Sequence, residues 1–164
     1  MNLTMPLTSV IKDVATLTLT VAADYPVSQQ RLWDAFADPR QLERFWGPPD
    51  YPATFTRHDL KVGGRAEYSM TGPKGETVSG SWEFTAVDPI SLFEVIDGDG
   101  DLNGPSSITF TFETTPTRSR MTAVTHFPNI EAAEKVMQGM EDGLRAALPQ
   151  LDSVLAEPSP SVAH

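Results

Sequence analysis

Residues 128–157 read PNIEAAEKVMQGMEDGLRAALPQLDSVLAE and form the longest stretch with helical spacing in the chain. Apolar side chains recur there at steps of three and four, which aligns them along one face of a helix. This apolar seam consists of Ala133, Met137, Met140, Leu144, Leu148, Leu151 and Leu155. Pro149 removes a backbone donor within the stretch, so we expect a kink there. A helix with one long apolar face needs a large apolar surface to pack against.

The segments before this helix supply such a surface. Residues 13–24 alternate between apolar and polar side chains, as expected of a half-buried strand. Two short helices follow, capped by Ser28 and Asp38, and the second ends at Phe45-Trp46. Further strands are predicted over residues 51–60, 65–71, 77–87, 91–97, 107–114 and 120–127.

Sequential strands joined by short turns pair antiparallel. The sequence therefore predicts an α+β fold with a curved antiparallel sheet of about seven strands and two short helices. The long C-terminal helix should pack across the concave face of that sheet. We expect residues 13–157 to form this domain, residues 1–12 a loose N-terminal arm, and residues 158–164 a disordered tail. The glycine pair Gly63-Gly64 favours a bulge where the sheet bends.

Composition excludes several classes of protein. The 164 residues include 22 acidic and 12 basic side chains, for a formal net charge of −10. Such a surface repels phosphate backbones, so nucleic acid is a poor partner. No cysteine is present, which fits a reducing compartment and removes disulfides and thiolate chemistry. With no secretory signal pattern and no long apolar span, we expect a cytoplasmic protein without membrane insertion.

Five ordered segments carry a family resemblance. They are residues 26–46 (PVSQQRLWDAFADPRQLERFW), 59–64 (DLKVGG), 80–82 (GSW) with 88–89 (DP), 117–126 (TRSRMTAVTH) and 143–151 (GLRAALPQL). In this order the chain resembles the START-like (SRPBCC) superfamily, and within it the bacterial homologues of the activator of the 90-kilodalton heat-shock-protein ATPase. The resemblance implies a helix-grip fold with a cavity between the sheet and the last helix.

An apolar set of side chains would line that cavity. Aromatic and methionine side chains supply large contact area for an apolar ligand. The predicted ligand-binding residues are Trp33, Phe36, Phe45, Trp46, Tyr68, Met70, Trp82, Phe84, Phe110, Phe112, Met137, Met140 and Leu144. The same residue types also build ordinary cores, so the pattern alone does not separate the two roles.

Two titratable side chains are weak candidates for catalysis. Glu94 would face the cavity if Leu92 and Ile96 point inward, and would face outward if Phe93 and Val95 do. A carboxyl group inside an apolar cavity has a raised pKa and can act as an acid or base. His126 ends the last strand, which the resemblance places beside the cavity. His58 shares the alternation of Thr54 and Thr56 and is predicted to be solvated.

Metal and cofactor sites are not expected. The acidic loop over residues 97–104 lacks the glycine and glutamate positions of a calcium-binding EF-hand. We interpret it as a solvated loop at the cavity mouth.

Three functions remain open from the sequence. The preferred one is binding of a small hydrophobic or amphipathic molecule without catalysis. The alternatives are an enzyme of the polyketide cyclase or dehydratase type, using a cavity acid or base, and a co-chaperone-like interaction module. Whether the chain forms a homodimer is left open.

Overall fold

The computed structural model describes residues 7–47, 50–97, 107–116 and 118–156. Its strands are β1 (Leu7–Asp13), β2 (Thr18–Tyr25), β3 (Ala53–His58), β4 (Arg65–Thr71), β5 (Thr77–Asp88), β6 (Leu92–Asp97), β7 (Ser107–Thr115) and β8 (Arg118–His126). Its helices are α1 (Gln29–Ala37), α2 (Pro39–Trp46) and α3 (Ile130–Leu155). Within the described ranges, none of these helices is long and apolar enough to cross a membrane.

The eight strands form one antiparallel sheet in the order β1-β2-β8-β7-β6-β5-β4-β3. Strands β3 to β8 follow one another as hairpins, and the first and last parts of the chain meet where β2 pairs with β8. The predicted α+β class, with a large antiparallel sheet and a long C-terminal helix, is confirmed.

Strand β1 corrects the prediction of a loose arm over residues 1–12. Leu7–Asp13 pairs antiparallel with β2, with Val10 opposite Val21 and Lys12 opposite Leu19. The predicted first strand therefore starts later, at Thr18, after a turn in which Leu17 has a positive φ of 57°. Residues 1–6 and the predicted tail over residues 158–164 lie outside the described residues.

A polar cap begins each helix, and the first two are the predicted Ser28 and Asp38. Ser28 Oγ accepts a hydrogen bond from the Arg31 amide at 3.1 Å, and Asp38 Oδ1 accepts one from Arg40 at 3.0 Å. Asn129 Oδ1 accepts one from the Ala132 amide at 2.8 Å. These bonds satisfy amides that have no partner in the first turn of a helix.

Helix α3 closes one side of the sheet by packing against α1, α2, β1 and β2. In the predicted seam Ala133, Met137, Leu148, Leu151 and Leu155 are buried, and Leu144 is half-buried. The side chain of Met140 lies outside the described residues. Pro149 lies inside α3 on its exposed side, and the helix continues past it to Leu155.

The Gly63-Gly64 pair forms the end of the loop between β3 and β4. Gly63 has a φ of 83°, a left-handed conformation that glycine adopts without strain. Its amide donates to the Phe84 carbonyl at 2.8 Å, and the Phe84 amide donates to the Gly64 carbonyl at 2.9 Å. The register irregularity lies next to this contact, on β5 between Phe84 and Ala86.

Candidate functional site

Aromatic rings from α1, from α2 and from the concave face of the sheet form a continuous set in mutual contact. Ring centroids are 5.5 Å apart for Trp33 and Phe112, 5.1 Å for Phe36 and Phe45, and 4.8 Å for Trp46 and Trp82. Phe93 stacks on Phe110 at 4.8 Å. Most of these pairs meet edge to face or tilted, which aromatic quadrupoles favour. We call this set, together with Phe55, Tyr68 and Phe84, the aromatic cluster.

Helix α1 contributes Trp33 and Phe36 because its apolar stripe faces the sheet. The Gln29 side chain fixes the start of this helix by donating to the carbonyls of Phe112 at 2.8 Å and Ile90 at 3.0 Å. Trp33 is held edge to face against Phe93 and Phe112. These two predicted binding residues lie deep in the core.

Helix α2 positions Trp46 at its last residue. Two of its side chains contact the backbone of edge strand β3: Arg40 Nη2 donates to the Phe55 carbonyl at 2.6 Å, and Glu43 Oε1 accepts from the Phe55 amide at 3.0 Å. On its other side, Gln150 of α3 donates to the Gly47 carbonyl at 2.9 Å. Hydrogen bonds thus join α2 to β3 and the residue after α2 to α3, and Trp46 contacts Trp82 of β5.

Not all of the aromatic cluster is fully covered. Trp46, Tyr68 and Met70 are half-buried although they lie on the concave side, and we call these three the aromatic end. Trp46 contacts Tyr68 at 6.2 Å between ring centroids. Trp82 lies beneath Trp46 and is only 7% exposed. The aromatic end is therefore where an apolar molecule could contact the cluster.

Seven predicted binding residues remain. Five of them are buried in the core: Phe45, Phe84, Phe110, Phe112 and Met137. Leu144 is half-buried on α3, and the Met140 side chain lies outside the described residues.

Some buried polar atoms on the concave side have no hydrogen-bond partner among the described residues. They include Trp82 Nε1, Ser119 Oγ and Thr125 Oγ1. Ser119 and Thr125 alternate with Met121 and Ala123 on the inner face of β8. A buried polar group without a partner is costly, and ligands and water are the usual partners that satisfy it.

The structure places both catalytic candidates away from the concave interior, which decides the side of β6 that the sequence left open for Glu94 and corrects the expected place of His126 beside the cavity. Phe93 and Val95 are each 4% exposed and face inward, so Glu94 lies on the outer face of β6. Its carboxylate accepts from Thr85 Oγ1 at 2.8 Å and from Thr109 Oγ1 at 2.9 Å. His126 is exposed and shares the outer face of β8 with Thr122 and Val124.

His58 was predicted to be solvated and instead lies on the concave side. Thr56 and Arg57 together oppose Glu67, a bulge that turns His58 inward opposite Ala66. Its Nε2 lies 3.1 Å from the Phe36 carbonyl, and its ring contacts Phe84 at 5.6 Å. Burial lowers the pKa of His58, against smaller raising effects from the Phe36 carbonyl, Asp59 and Asp38. The alternation of the sequence contains no signal for this bulge.

A depression lies on the opposite, outer face of the sheet. It has a volume of about 430 Å³, and hydroxyl groups and a carboxylate make up much of its lining, which consists of Thr56, Glu67, Tyr68, Ser69, Ser79, Gly80 and Ser81. Its lining differs from the apolar interior, and sequence reasoning did not single it out. The acidic loop over residues 98–104 lies outside the described residues.

Comparison with known proteins decides the family. A family model for Activator of Hsp90 ATPase homolog 1-like proteins matches residues 26–156. The chain belongs to this family. The predicted START-like resemblance is thereby confirmed, and the family match covers α1 to α3 with all strands between them.

Solved structures of other proteins share the fold. Protein Ms6760 from Mycobacterium smegmatis is 41% identical, with a TM-score of 0.82 over 97% of this chain and 100% of that one. A protein from Arthrobacter aurescens is 40% identical, with a TM-score of 0.83 over 95% of both chains. An AHSA1-like protein from Aeromonas hydrophila, at 19% identity and a TM-score of 0.72, covers 87% of this chain and 96% of its own, and shows the fold alone. No curated protein sequence matches the chain.

Proposed function

We propose that this family member binds a small hydrophobic or amphipathic molecule at the aromatic end of its concave interior, without transforming it. The observation that carries the proposal is the incomplete burial of Trp46, Tyr68 and Met70, which face the concave side beside a continuous aromatic cluster. Large aromatic surfaces of this kind gain free energy when a ligand removes them from water. A cytoplasmic location stays a prediction from the sequence.

The positions of the two catalytic candidates favour binding over catalysis. Glu94 and His126, the acid or base candidates, lie on the outer face of the sheet. Arg65 and Arg120 also act outside the interior: Arg65 donates to Ser81, and Arg120 pairs with Asp24 at 2.6 Å. A strongly anionic ligand in the interior would gain no contact with these two arginines to offset the loss of its hydration.

A thermal-shift screen tests this proposal. Flavonoids, sterols, fatty acids and sugar phosphates are compared at equal concentration, and one of the apolar classes is expected to raise the melting temperature. At about 100 times its Kd, a ligand stabilises the native state by about 2.7 kcal/mol, which is a shift of several degrees. Stabilisation by the sugar phosphates alone would contradict the proposal.

Two variants test where the stabilising ligand binds. Trp46→Ala removes the ring of the aromatic end and should abolish the ligand-induced shift, whatever it does to the melting temperature of the free protein. Val62→Ala, at an exposed position between β3 and β4, should leave that shift unchanged. An equal shift in both variants would place the ligand elsewhere.

The family description favours a second candidate, modulation of an Hsp90-type ATPase. It is tested by the steady-state ATPase rate of a bacterial Hsp90-type chaperone with and without this protein. We expect an unchanged rate, because the half-buried surface of Trp46, Tyr68 and Met70 is small for a protein docking surface. A concentration-dependent rise in the rate would favour the interaction module instead.

A further inference from the structure

The indole of Trp82 stands out among the buried groups of the aromatic cluster. Trp82 is 7% exposed, and among the described residues nothing accepts a hydrogen bond from its Nε1. The indole nitrogen is a donor only, so it needs an acceptor atom. Leaving such a donor unsatisfied in an apolar interior destabilises the folded protein.

Three aromatic rings contact the indole of Trp82. Ring centroids of Trp46, Tyr68 and Phe55 lie 4.8, 5.5 and 5.8 Å from that of Trp82. Trp46 and Tyr68 belong to the aromatic end, so the indole ring that carries the unpaired donor lies beside the half-buried surface where the proposed ligand would contact the protein. Ser119 and Thr125, by contrast, are fully buried on β8, which lies between β2 and β7 in the sheet.

We infer that the ligand of this site carries a neutral oxygen acceptor, of the carbonyl class, that accepts a hydrogen bond from Trp82 Nε1. This inference rests on the proposed function and narrows it to an apolar molecule with one polar acceptor. The negative faces of the neighbouring rings disfavour a carboxylate. Of the nearby cations, Arg40 donates to the Phe55 carbonyl and Arg65 to Ser81 on the outer face. A neutral carbonyl loses far less on desolvation than an anion does.

Two matched probes test the inference: 9-fluorenone and fluorene, which share one tricyclic skeleton and differ by the carbonyl oxygen. Fluorene is the more hydrophobic, so without a donor in the site it should bind at least as tightly. With Trp82 as donor, fluorenone is expected to bind about tenfold more tightly, as measured by calorimetric Kd. Fluorene-9-carboxylate, the anionic arm, should bind most weakly of the three.

Trp82→Phe keeps an aromatic ring and removes the donor, so the preference for fluorenone should disappear. Tyr25→Phe is the matched control, because it also removes one buried donor while keeping an aromatic ring, but the Tyr25 hydroxyl donates to the Leu148 carbonyl at 3.3 Å and lies outside the aromatic cluster. That variant should keep the preference. A preference that survives in Trp82→Phe would overturn the inference.

An NMR measurement on the unaltered protein tests whether Trp82 is the donor even if Trp82→Phe does not fold. The chain has three tryptophans, whose indole N–H signals are resolved in nitrogen–proton NMR spectra. Fluorenone should move one of them downfield, in the direction of hydrogen-bond formation, and fluorene should not.

A failure of this inference can be told apart from a failure of the proposed binding function. Equal binding of fluorenone and fluorene would overturn the role of Trp82 and leave the binding function standing, with the N–H directed at a neighbouring ring face. Binding of no probe would contradict the proposed function, and the inference with it.

Discussion

His58 lies on the concave side because the bulge at Thr56 and Arg57 shifts the register of β3 by one residue. The imidazole is then packed against Phe55 and Phe84 and contacts the Phe36 carbonyl. Burial lowers the pKa of this histidine below its usual value of 6.5, because the protonated ring loses hydration inside the protein.

The lowered pKa predicts a loss of stability in mild acid. Below about pH 6.5 the unfolded chain binds a proton at His58 that the folded chain binds only at lower pH. The free energy of unfolding therefore falls as the pH drops through this window. His58→Gln, measured by urea unfolding between about pH 7.5 and about pH 5.5, should lose less stability over this range than the unaltered protein. His126→Gln, at an exposed histidine, should behave like the unaltered protein, and equal slopes for all three would contradict the argument.

Gly80 is a residue whose lack of a side chain shapes the site. A Cβ at this position would overlap the hydroxyl and ring carbon Cζ of Tyr68, which lies across the glycine. Gly80→Ala should therefore displace Tyr68 and lower the free energy of unfolding by about 1–3 kcal/mol, the range of overpacked positions. The measurement is chemical denaturation in urea.

Gly143→Ala provides the matched control for that prediction. A Cβ at Gly143 would meet nothing within 4 Å, and the residue lies exposed in α3. Alanine there should raise the free energy of unfolding by about 1 kcal/mol through helix propensity. Destabilisation of both variants to the same extent would mean that the contact with Tyr68 is not the cause.

At the scale of elements, β1 is held in place by charge as well as by strand pairing. Lys12 on its inner side forms an ion pair with Glu141 of α3 at 2.8 Å and donates to Gln138 at 3.3 Å. Arg145 contacts the other carboxylate oxygen of Glu141 at 2.7 Å. The hydrogen bond from Lys12, then that from Arg145, lowers the pKa of Glu141.

Removal of this ion pair should loosen β1 specifically. In Lys12→Met, the amides of Leu7–Asp13 are expected to exchange with solvent about two- to fivefold faster, the range of a single ion pair near the surface. Lys135→Met, at an exposed lysine of α3, should leave these rates unchanged. Unaltered exchange in Lys12→Met would show that strand pairing alone holds β1.

The elements differ in how far the sequence could predict them. Strands β4 to β8 and all three helices were predicted because alternation, helical spacing and capping residues agree locally. Strand β1 was not predicted, because its inward residues include Lys12, whose partner Glu141 is more than a hundred residues away in the chain. The inward side of β6 could not be chosen either, since Phe93 and Val95 are as apolar in pattern as Leu92 and Ile96.

At the scale of the whole molecule, one sheet with three helices on its concave side gathers the aromatic side chains of α1, α2 and β3 to β7. Sequence patterning was enough to name most of these residues, because each faces the apolar side of its own element. It could not show which of them are covered completely. That depends on how α2 and α3 meet around Gly47 and Gln150, which is a property of the assembled fold.

The measurement that tests the central claim most directly is a titration with flavone, followed by nitrogen–proton NMR. Saturable shifts with one flavone bound per chain are predicted for the indole signals of Trp46 and Trp82 and for the amide of Met70. Saturable shifts confined to Thr56, Ser79 and Ser81 of the outer depression would contradict the account, as would no saturable shift with any of the apolar compounds.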